Sequence, residues 1–388
     1  MMTNIGKWLI ALCLMVPRFA AAADEVHLPT ANDFLLKGQP EKFYMHVDRT
    51  FEGQVSKAWE GGCFGFVRTP VRINGEVVMV KFHEGIDIAP MERDKVGNPL
   101  DVVHTIADGT VVHISPIAGR SNYGKYVVVE HRWNDSSIYT IYAHLSEIAV
   151  KIGDPVKLGE KLGQMGFTGA GIDRVRAHVH VEITLMISDR YDEWVKGGKG
   201  AENYHGNFNG INFAGADAAK WFLERQKNPD LKFSDFILSQ PVQFKVTVPG
   251  NGILAFGKRY PWLLRGDETL ATSWEISFTA TGLPIAVTAS ERSVKSPIVT
   301  YLRSATIPQT YLTRGLVNGT GSTASLTSNG KQLVALLCGD FPVAPVVPPK
   351  TTAPAPVAPR STPKPVRSTH PAVPAKPSVT PSKPVRRR

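Results

Sequence analysis

Cysteine is scarce in this chain, with three residues among 388, at positions 13, 63 and 338. Neither Cys63 nor Cys338 lies in a histidine-containing motif, so the sequence argues against a catalytic or metal-binding thiolate. An oxidising compartment would permit a disulfide between them, but their spacing does not decide whether they pair. Cys13 follows a leucine where a lipidation site has a small residue, which argues against a lipoprotein.

Long apolar runs are also absent. The run WLIALCLMV at 8–16 is preceded by Lys7 and followed by four alanines at 20–23, and no later segment reaches the roughly 18 apolar residues that a membrane-spanning helix needs. This pattern is typical of a secretory signal peptide. We therefore predict a signal peptide over 1–23, no transmembrane segment, and export to the periplasm, the cell envelope or the medium.

The last 48 residues, 341–388, lack acidic side chains and hold one aromatic residue, 14 prolines and nine Lys or Arg. Such a segment cannot bury a core, so we predict a disordered or polyproline II tail. The tail carries +9 of the net charge of +10, and the predicted signal peptide has two further basic residues. The rest of the chain therefore has a net charge near −1. The tail could contact anionic envelope polymers or act as a plain spacer. Nucleic acid is not an expected partner, and the oligomeric state stays open.

Two histidines in the segment AHVHVEI, His178 and His180, stand out among the residues that are present. Alternation along a strand places both on one face. Upstream, the segment HEGID supplies His83 and Asp87, and its glycine suits a loop that runs into a strand. His83, Asp87 and His180 would satisfy the three protein ligands of a catalytic zinc site. His178 and His144, from the segment YAHL, remain as candidates for acid, base or oxyanion partner.

The segments HEGID, YAHL and AHVHVEI, in that order, resemble the three signature segments of the lysostaphin-like, or LytM-type, zinc endopeptidases that cut peptidoglycan cross-bridges. The joining stretches at 108–114, 122–131 and 150–169 resemble that family's order of short strands and glycine turns, and the likeness covers about 64–186. It implies a mainly β fold, with an antiparallel catalytic domain of the LytM/lysostaphin type, similar to a duplicated hybrid motif. It also implies one Zn²⁺ per chain.

By the same resemblance, His83, Asp87 and His180 match the zinc ligands, while His144 and His178 match the histidines that position water and stabilise the tetrahedral intermediate. We therefore expect a secreted zinc-dependent endopeptidase that hydrolyses peptide cross-bridges of bacterial peptidoglycan through a metal-activated water. His178 is the first choice for general base and His144 for donor to the oxyanion, although the two roles could be exchanged. Any one histidine could be structural, but the combined pattern argues against that for the set.

A different class of function stays open, namely a non-catalytic LytM-like protein that binds the wall or regulates amidases. Relatives of that kind have usually lost one or more ligands, so the intact set favours hydrolysis. A zinc protease for protein substrates is a third possibility, which the motif order favours less.

Several features depart from the family pattern. An extra stretch at 91–101 follows the HEGID motif, Lys125 stands where relatives often carry Asn, and Arg174 and Arg176 precede the histidine pair. We expect them to change the cleft rim and substrate preference more than the chemistry. Glu182 shares the strand face of the histidine pair and could orient an imidazole or be solvated. Surface or packing roles are expected for His46, His104, His113, His131, His205 and His370.

Composition divides the rest of the chain into further predicted pieces. These are a lead-in over 24–63, the catalytic domain over 64–187, a linker with one helix over 188–232 and a C-terminal domain over 233–340. Short apolar runs about ten residues apart in the last piece, such as GILAF and QLVALLC, predict an all-β sandwich or small barrel. That piece could be a wall-binding module or a structural cap.

The predicted linker contains a helix signal and several aromatic residues. Asp217 is expected to cap a helix that ends at the Asn-Pro pair at 228–229. Packing roles are favoured for Trp194, Tyr204 and Trp221, although contact with glycan would follow if the linker bordered the cleft.

Overall fold

The computed structural model describes residues 25–55, 58–198, 202–250, 252 and 254–341. The predicted signal peptide over 1–23 and the predicted tail after Phe341 lie outside these residues. Within them, no helix is long and apolar enough to cross a lipid bilayer.

The described part of the chain is mainly β with antiparallel sheets, which confirms the predicted fold class. The early strands are β1 (Thr50–Phe51), β2 (Gln54–Val55), β3 (Gly65–Ile73), β4 (Glu76–His83), β5 (Ile86–Ile88), β6 (Val102–His104), β7 (Gly109–Ser115), β8 (Lys125–Trp133) and β9 (Ser136–Leu145). They are followed by β10 (Glu147–Ile148), β11 (Pro155–Val156), β12 (Lys161–Gln164), β13 (Val179–Met186) and β14 (Phe213–Ala216). The C-terminal strands are β15 (Phe244–Pro249), β16 (Leu264–Arg265), β17 (Ser273–Phe278), β18 (Pro284–Ser290), β19 (Ile298–Leu302), β20 (Val317–Asn318) and β21 (Ser325–Leu326).

Seven short α-helices accompany these strands in the described residues. They are α1 (Pro40–Phe43), α2 (Tyr191–Gly198), α3 (Ala218–Lys227), α4 (Phe233–Leu238), α5 (Ala255–Arg259), α6 (Gln309–Leu312) and α7 (Ser328–Cys338). Helix α3 begins where the sequence predicts, because the Asp217 carboxylate accepts a hydrogen bond from the Lys220 amide at 3.0 Å.

The main sheet has seven strands, in the order β11-β7-β8-β9-β13-β14, with β5 also paired to β13. All of its pairings are antiparallel. Strands β8 and β9 are apolar along most of their length because both faces are covered. Val127 and Val129 belong to the main core, whereas Tyr126 and Val128 belong to a smaller cluster on the opposite face.

A hairpin formed by β3 and β4 precedes the main sheet. Its two-residue turn, Asn74 and Gly75, has φ values of 49° and 84°, which is the left-handed backbone that such tight hairpins need. The second strand ends at His83, so the hairpin delivers this side chain to the site described below.

The predicted C-terminal sandwich is wrong. The region has one five-stranded sheet, in the order β16-β18-β17-β15-β19, a two-stranded pair and helices α4 to α7. Two apolar runs that were predicted as strands, GILAF and QLVALLC, contribute to α5 and α7 instead. Short apolar runs do not distinguish a strand from a buried helix. The caps of α7 favour the helix over a strand. The Thr327 hydroxyl accepts a hydrogen bond from the Gly330 amide, and Gly339 ends the helix with a left-handed φ of 69°.

The C-terminal region packs directly on the main sheet, and the described residues belong to one compact unit. The Tyr260 hydroxyl accepts a hydrogen bond from the Met186 amide at 2.7 Å, and the Trp262 indole donates to the Ser136 hydroxyl at 3.0 Å. Cys63 and Cys338 are both free thiols. The predicted domain limits stay predictions, but the C-terminal strands share one hydrophobic core with the main sheet.

Candidate metal centre

Strand pairing brings the predicted ligands together. In the register between β5 and β13, Asp87 lies directly opposite His180. The loop between β4 and β5 is tight at Gly85, where a Cβ atom would stand 2.4 Å from the Val181 carbonyl oxygen and 2.9 Å from Nε2 of His180. Glycine at this position therefore allows His83 and Asp87 to approach the same strand.

His83, Asp87 and His180 form one buried cluster, with exposed fractions of 2%, 6% and 4%. Nε2 of His83 lies 3.1 Å from Nδ1 of His180 and 3.1 Å from Oδ1 of Asp87. Nδ1 of His180 lies 2.9 Å from the same carboxylate oxygen. Two ring nitrogens and one oxygen thus converge on a single point.

The outer hydrogen bonds determine which ring nitrogens face that point as lone pairs. Nδ1 of His83 is 2.7 Å from the Cys63 carbonyl oxygen, which only accepts, so Nδ1 carries the proton and Nε2 does not. Nε2 of His180 is 2.9 Å from Oε1 of Glu182, so the neutral form of this ring keeps its proton on Nε2 and its lone pair on Nδ1. Three acceptors at this separation repel one another unless a proton or a metal ion lies between them. Tetrahedral zinc ligands stand about 3.3 Å apart, so this donor set fits zinc.

Residues 81–192 match the model of peptidase family M23. The chain contains a peptidase family M23 domain. Over 119 residues it is 36% identical to the peptidoglycan DD-endopeptidase ShyA of Vibrio cholerae, covering 30% of this chain and 23% of the relative. Over 106 residues it is 35% identical to lysostaphin of Staphylococcus simulans, covering 27% and 18%. The chain spans about a quarter of the length of the curated relatives that it matches.

Among solved structures, the catalytic domain of lysostaphin from Staphylococcus simulans aligns with a TM-score of 0.26 and 23% identity. The alignment covers 42% of this chain and 90% of that domain.

Burial disfavours the charged forms of Asp87 and His180 in the M23 domain, but neighbouring groups of opposite charge favour them. Burial alone would raise the pKa of the Asp87 carboxyl, but His83 and His178 beside it hold that pKa well below its usual range. Burial would lower the pKa of His180, but hydrogen bonds to Asp87 and Glu182 raise it to about 10. The site therefore stabilises positive charge next to two carboxylates.

Glu182 holds His180 from outside the cluster. Its carboxylate, 1% exposed, contacts Nε2 of His180 and accepts a hydrogen bond from the Tyr123 hydroxyl. The Tyr123 ring stacks on the His180 ring, with centroids 5.6 Å apart. Of the two alternatives for Glu182, the structure supports the one that orients an imidazole.

The two remaining histidines of the motifs lie beside the cluster. Nδ1 of His178 is 2.6 Å from the Arg176 carbonyl oxygen, and Nδ1 of His144 is 2.8 Å from the Thr168 carbonyl oxygen. Their rings are 4.7 Å apart between centroids, and Nε2 of His178 lies 3.4 Å from Oδ1 of Asp87. Burial, followed by repulsion from neighbouring histidines, holds the pKa of His144 well below its usual range. His144 is therefore a neutral imidazole with a lone pair on Nε2.

Sequence reasoning missed three residues at this site. Arg68, on β3, donates to Oδ2 of Asp87 at 2.5 Å and to the Gly61 carbonyl oxygen at 2.8 Å. His46 was expected at the surface or in packing, but it lines a cavity of about 30 Å³ together with Asp87 and His178. Tyr123 is the third. Its place in the segment NYGKY, already matched to the family, was the one signal that could have identified it.

The other described histidines lie outside this cluster. His131 is buried, with its ring nitrogens 2.8 Å from the Asp108 carbonyl oxygen and 2.8 Å from the Thr140 hydroxyl. His113 and His205 pack against each other with centroids 5.6 Å apart, and His104 contacts the Gly159 carbonyl oxygen. These contacts agree with packing roles. His370 lies outside the described residues.

Two of the departures from the family pattern contact each other. Arg93, in the extra stretch at 91–101, donates to the carbonyl oxygens of Arg174 and Val175. Arg174 donates in return to the Val96 carbonyl oxygen at 3.0 Å. The extra stretch and the segment before the histidine pair thus form one wall beside the site.

Proposed function

We propose that the protein is an exported, zinc-dependent endopeptidase that hydrolyses peptide cross-bridges of bacterial peptidoglycan. The observation that carries the proposal is the convergence of two ring nitrogens and one carboxylate oxygen on one buried point, with two further histidines beside them. The M23 domain supports peptidase chemistry, and the relatives named as peptidoglycan endopeptidases support the substrate class. Export is proposed from the N-terminal pattern of the sequence.

Zinc would be held by Nε2 of His83, Nδ1 of His180 and Oδ1 of Asp87. When bound there, it would supply a Lewis acid and lower the pKa of a water molecule to about 7. Arg68 occupies Oδ2 of Asp87, which leaves Oδ1 as the oxygen that faces the cluster. Glu182 holds the proton of the neutral His180 ring on Nε2, so Nδ1 is the atom that would bind the metal. The chain itself thus prepares all three donor atoms.

His178 is suited to accept the proton of the attacking water. Its Nδ1 is hydrogen-bonded to the Arg176 carbonyl, so Nε2 is the basic atom. Oδ1 of Asp87, 3.4 Å away, stabilises the imidazolium that forms, and the same proton can then pass to the leaving amine.

His144 is better suited to orienting water than to donating to an oxyanion. The Thr168 carbonyl holds the proton on Nδ1, so Nε2 accepts. Donation from Nε2 would require a second proton, which burial and the neighbouring histidines oppose. We therefore assign His144 the positioning of the attacking water by hydrogen bonding.

The test is muropeptide analysis of purified peptidoglycan after incubation with the protein, with and without a zinc chelator. We expect cross-linked dimers to disappear only with the untreated wild-type protein, and the products to identify the scissile bond. His180→Ala should be inactive, while His104→Ala, outside the cluster, should behave as the wild type. An unchanged wall in the presence of one bound zinc per chain would reject hydrolysis and favour a wall-binding or amidase-regulating protein.

A further inference from the structure

A cleft of about 470 Å³ lies between the end of the M23 domain and the C-terminal region. One wall comes from α2 and the segment that leads into β14, and the other comes from α7 and the loop before β20. Its lining includes Tyr191, Trp194, Phe213, Arg314, Asn329 and Gln332.

The α7 wall is one face of that helix. Asn329, Gln332, Leu333 and Leu336 line the cleft at the spacing that places side chains on one side of a helix. Two amides thus stand beside two leucines. Lys331, on the same helix, lines a different groove.

The facing wall is aromatic. The rings of Tyr191 and Trp194 lie 5.5 Å apart between centroids, and Phe213 lines the same cleft. Tyr191 and Phe213 are buried, so their ring positions are held by packing. Aromatic faces opposite amides suit a ligand that has both an apolar face and hydrogen-bonding groups.

The side chains that line the cleft have no net charge. Glu202 and Arg314 are its two charged side chains. Arg314 is engaged with the M23 domain, since its guanidinium lies 3.5 Å from the Glu84 carboxylate and 4.3 Å from the centroid of the Phe82 ring. A lining of this kind favours a neutral ligand over an anionic peptide.

Two chain segments connect the cleft with the metal centre. Glu84, the partner of Arg314, directly follows His83. Strand β13 runs from the His180 end of the site to Met186, next to the cleft residue Ile187. Six strand residues span about 20 Å. A peptide stem of four to five residues extends over about 13 to 18 Å, slightly less than but of the same order as this separation.

We propose that this cleft binds the glycan strand of peptidoglycan through its N-acetylated amino sugars. Sugar rings would place their apolar C–H faces on Trp194, which the buried Tyr191 ring supports, and their acetamido and hydroxyl groups at Asn329 and Gln332. The inference rests on the proposed function for its biological meaning. It makes the C-terminal region part of the substrate-binding surface.

The test is calorimetric binding of the soluble β-1,4-linked tetramer of N-acetylglucosamine to the full zinc-loaded chain. Asn329→Trp puts a large ring into the cleft mouth from an exposed position, and we expect it to weaken binding by roughly tenfold or more. Ile211→Arg, at a lining position that is 70% exposed, introduces charge and should weaken binding too. Lys331→Trp is the matched control on the same helix and should bind as the wild type.

Bound zinc and circular dichroism would establish that each variant is folded. Failure of the wild type to bind the tetramer, or unchanged binding by both Asn329→Trp and Ile211→Arg, would overturn the inference. A wild type that cleaves the wall without binding the tetramer rejects the glycan site alone. One that binds the tetramer without cleaving the wall rejects the proposed hydrolysis and retains the glycan site.

Discussion

Glu182 on β13 and Glu275 on β17 are both carboxylates in the middle of a central strand, yet their surroundings differ. Glu182 is fully buried and contacts His180 and the Tyr123 hydroxyl. The side chain of Glu275 is 26% exposed and pairs with Lys245 at 2.8 Å and with the Thr300 hydroxyl at 2.9 Å. The M23 domain thus buries the Glu182 carboxylate against a histidine. The C-terminal sheet keeps the Glu275 carboxylate partly exposed beside a lysine.

The buried carboxylates of the M23 domain serve the metal site, whereas the ion pair of the C-terminal sheet serves only stability. Removing a carboxylate from water costs several kcal/mol, and a partly exposed pair avoids much of this cost. The M23 domain bears that cost at both Asp87 and Glu182, where ring nitrogens must be kept oriented and unprotonated. In the C-terminal sheet the comparable pair contributes at most about 1 kcal/mol. Substitutions at the two places should therefore affect different properties.

The largest effect is expected for His180→Ala. Loss of one of three ligands should abolish zinc binding and reduce wall hydrolysis by about a thousandfold or more. Bound zinc is measured by elemental analysis and hydrolysis by release of soluble muropeptides. His131→Ala, which removes a buried histidine outside the cluster, should lose stability but keep zinc. Zinc retained by His180→Ala would contradict the ligand assignment.

Substitution of the proton acceptor should separate metal binding from turnover. His178→Ala is expected to keep one zinc per chain and to lose hydrolysis by about 10²- to 10⁴-fold, because no other group takes the water's proton. His144→Ala should also keep zinc and lose less activity, since we assign it the orientation of water. Equal turnover by His178→Ala and the wild type would defeat the assignment.

The comparison between the two carboxylates is tested by paired amides. Glu182→Gln should weaken zinc affinity by about 10- to 100-fold, because a neutral amide holds the His180 tautomer less firmly. Glu275→Gln, the matched change in the C-terminal sheet, should leave zinc affinity unchanged. Competition with a chromogenic chelator measures both, and equal affinities would remove the distinction drawn between the strands.

The smallest effect concerns acid stability. Burial raises the pKa of Glu275, but hydrogen bonds from Lys245 and Thr300 outweigh it and lower that pKa below its ordinary value. A depressed folded-state pKa contributes stability above the unfolded pKa, and this is lost as the pH falls through the folded value. Between about pH 6 and pH 3, Glu275→Gln should therefore lose less stability than the wild type, by under about 1 kcal/mol. Urea midpoints measure this, and parallel curves would contradict it.

The cluster of the M23 domain was largely predictable because its motifs are local. Alternation along a strand places His178 and His180 on one face, and the glycine of HEGID permits the close approach that the structure contains. Glu182 follows from the same alternation. The order of the three motifs then predicted which residues converge.

The C-terminal region was predicted less well because its signals are short apolar runs. The segment QLVALLC has no clear period, and only the Thr327 cap and the left-handed Gly339 make it a helix. Arg68 and His46 escaped attention because nothing in the sequence around them points to Asp87. Their approach depends on how the hairpin and the lead-in pack over β5.

The sequence alone determined the chemical identity of the site: which side chains could serve as ligands, which strand carries the histidine pair, and that a loop with a glycine joins His83 to Asp87. Only the tertiary structure decided the tautomers, through partners such as the Cys63 carbonyl and Glu182, and the contact of Arg314 with the M23 domain. Periodicity acts between neighbours in one element. Contacts between distant elements depend on strand register and on which surfaces the core brings together.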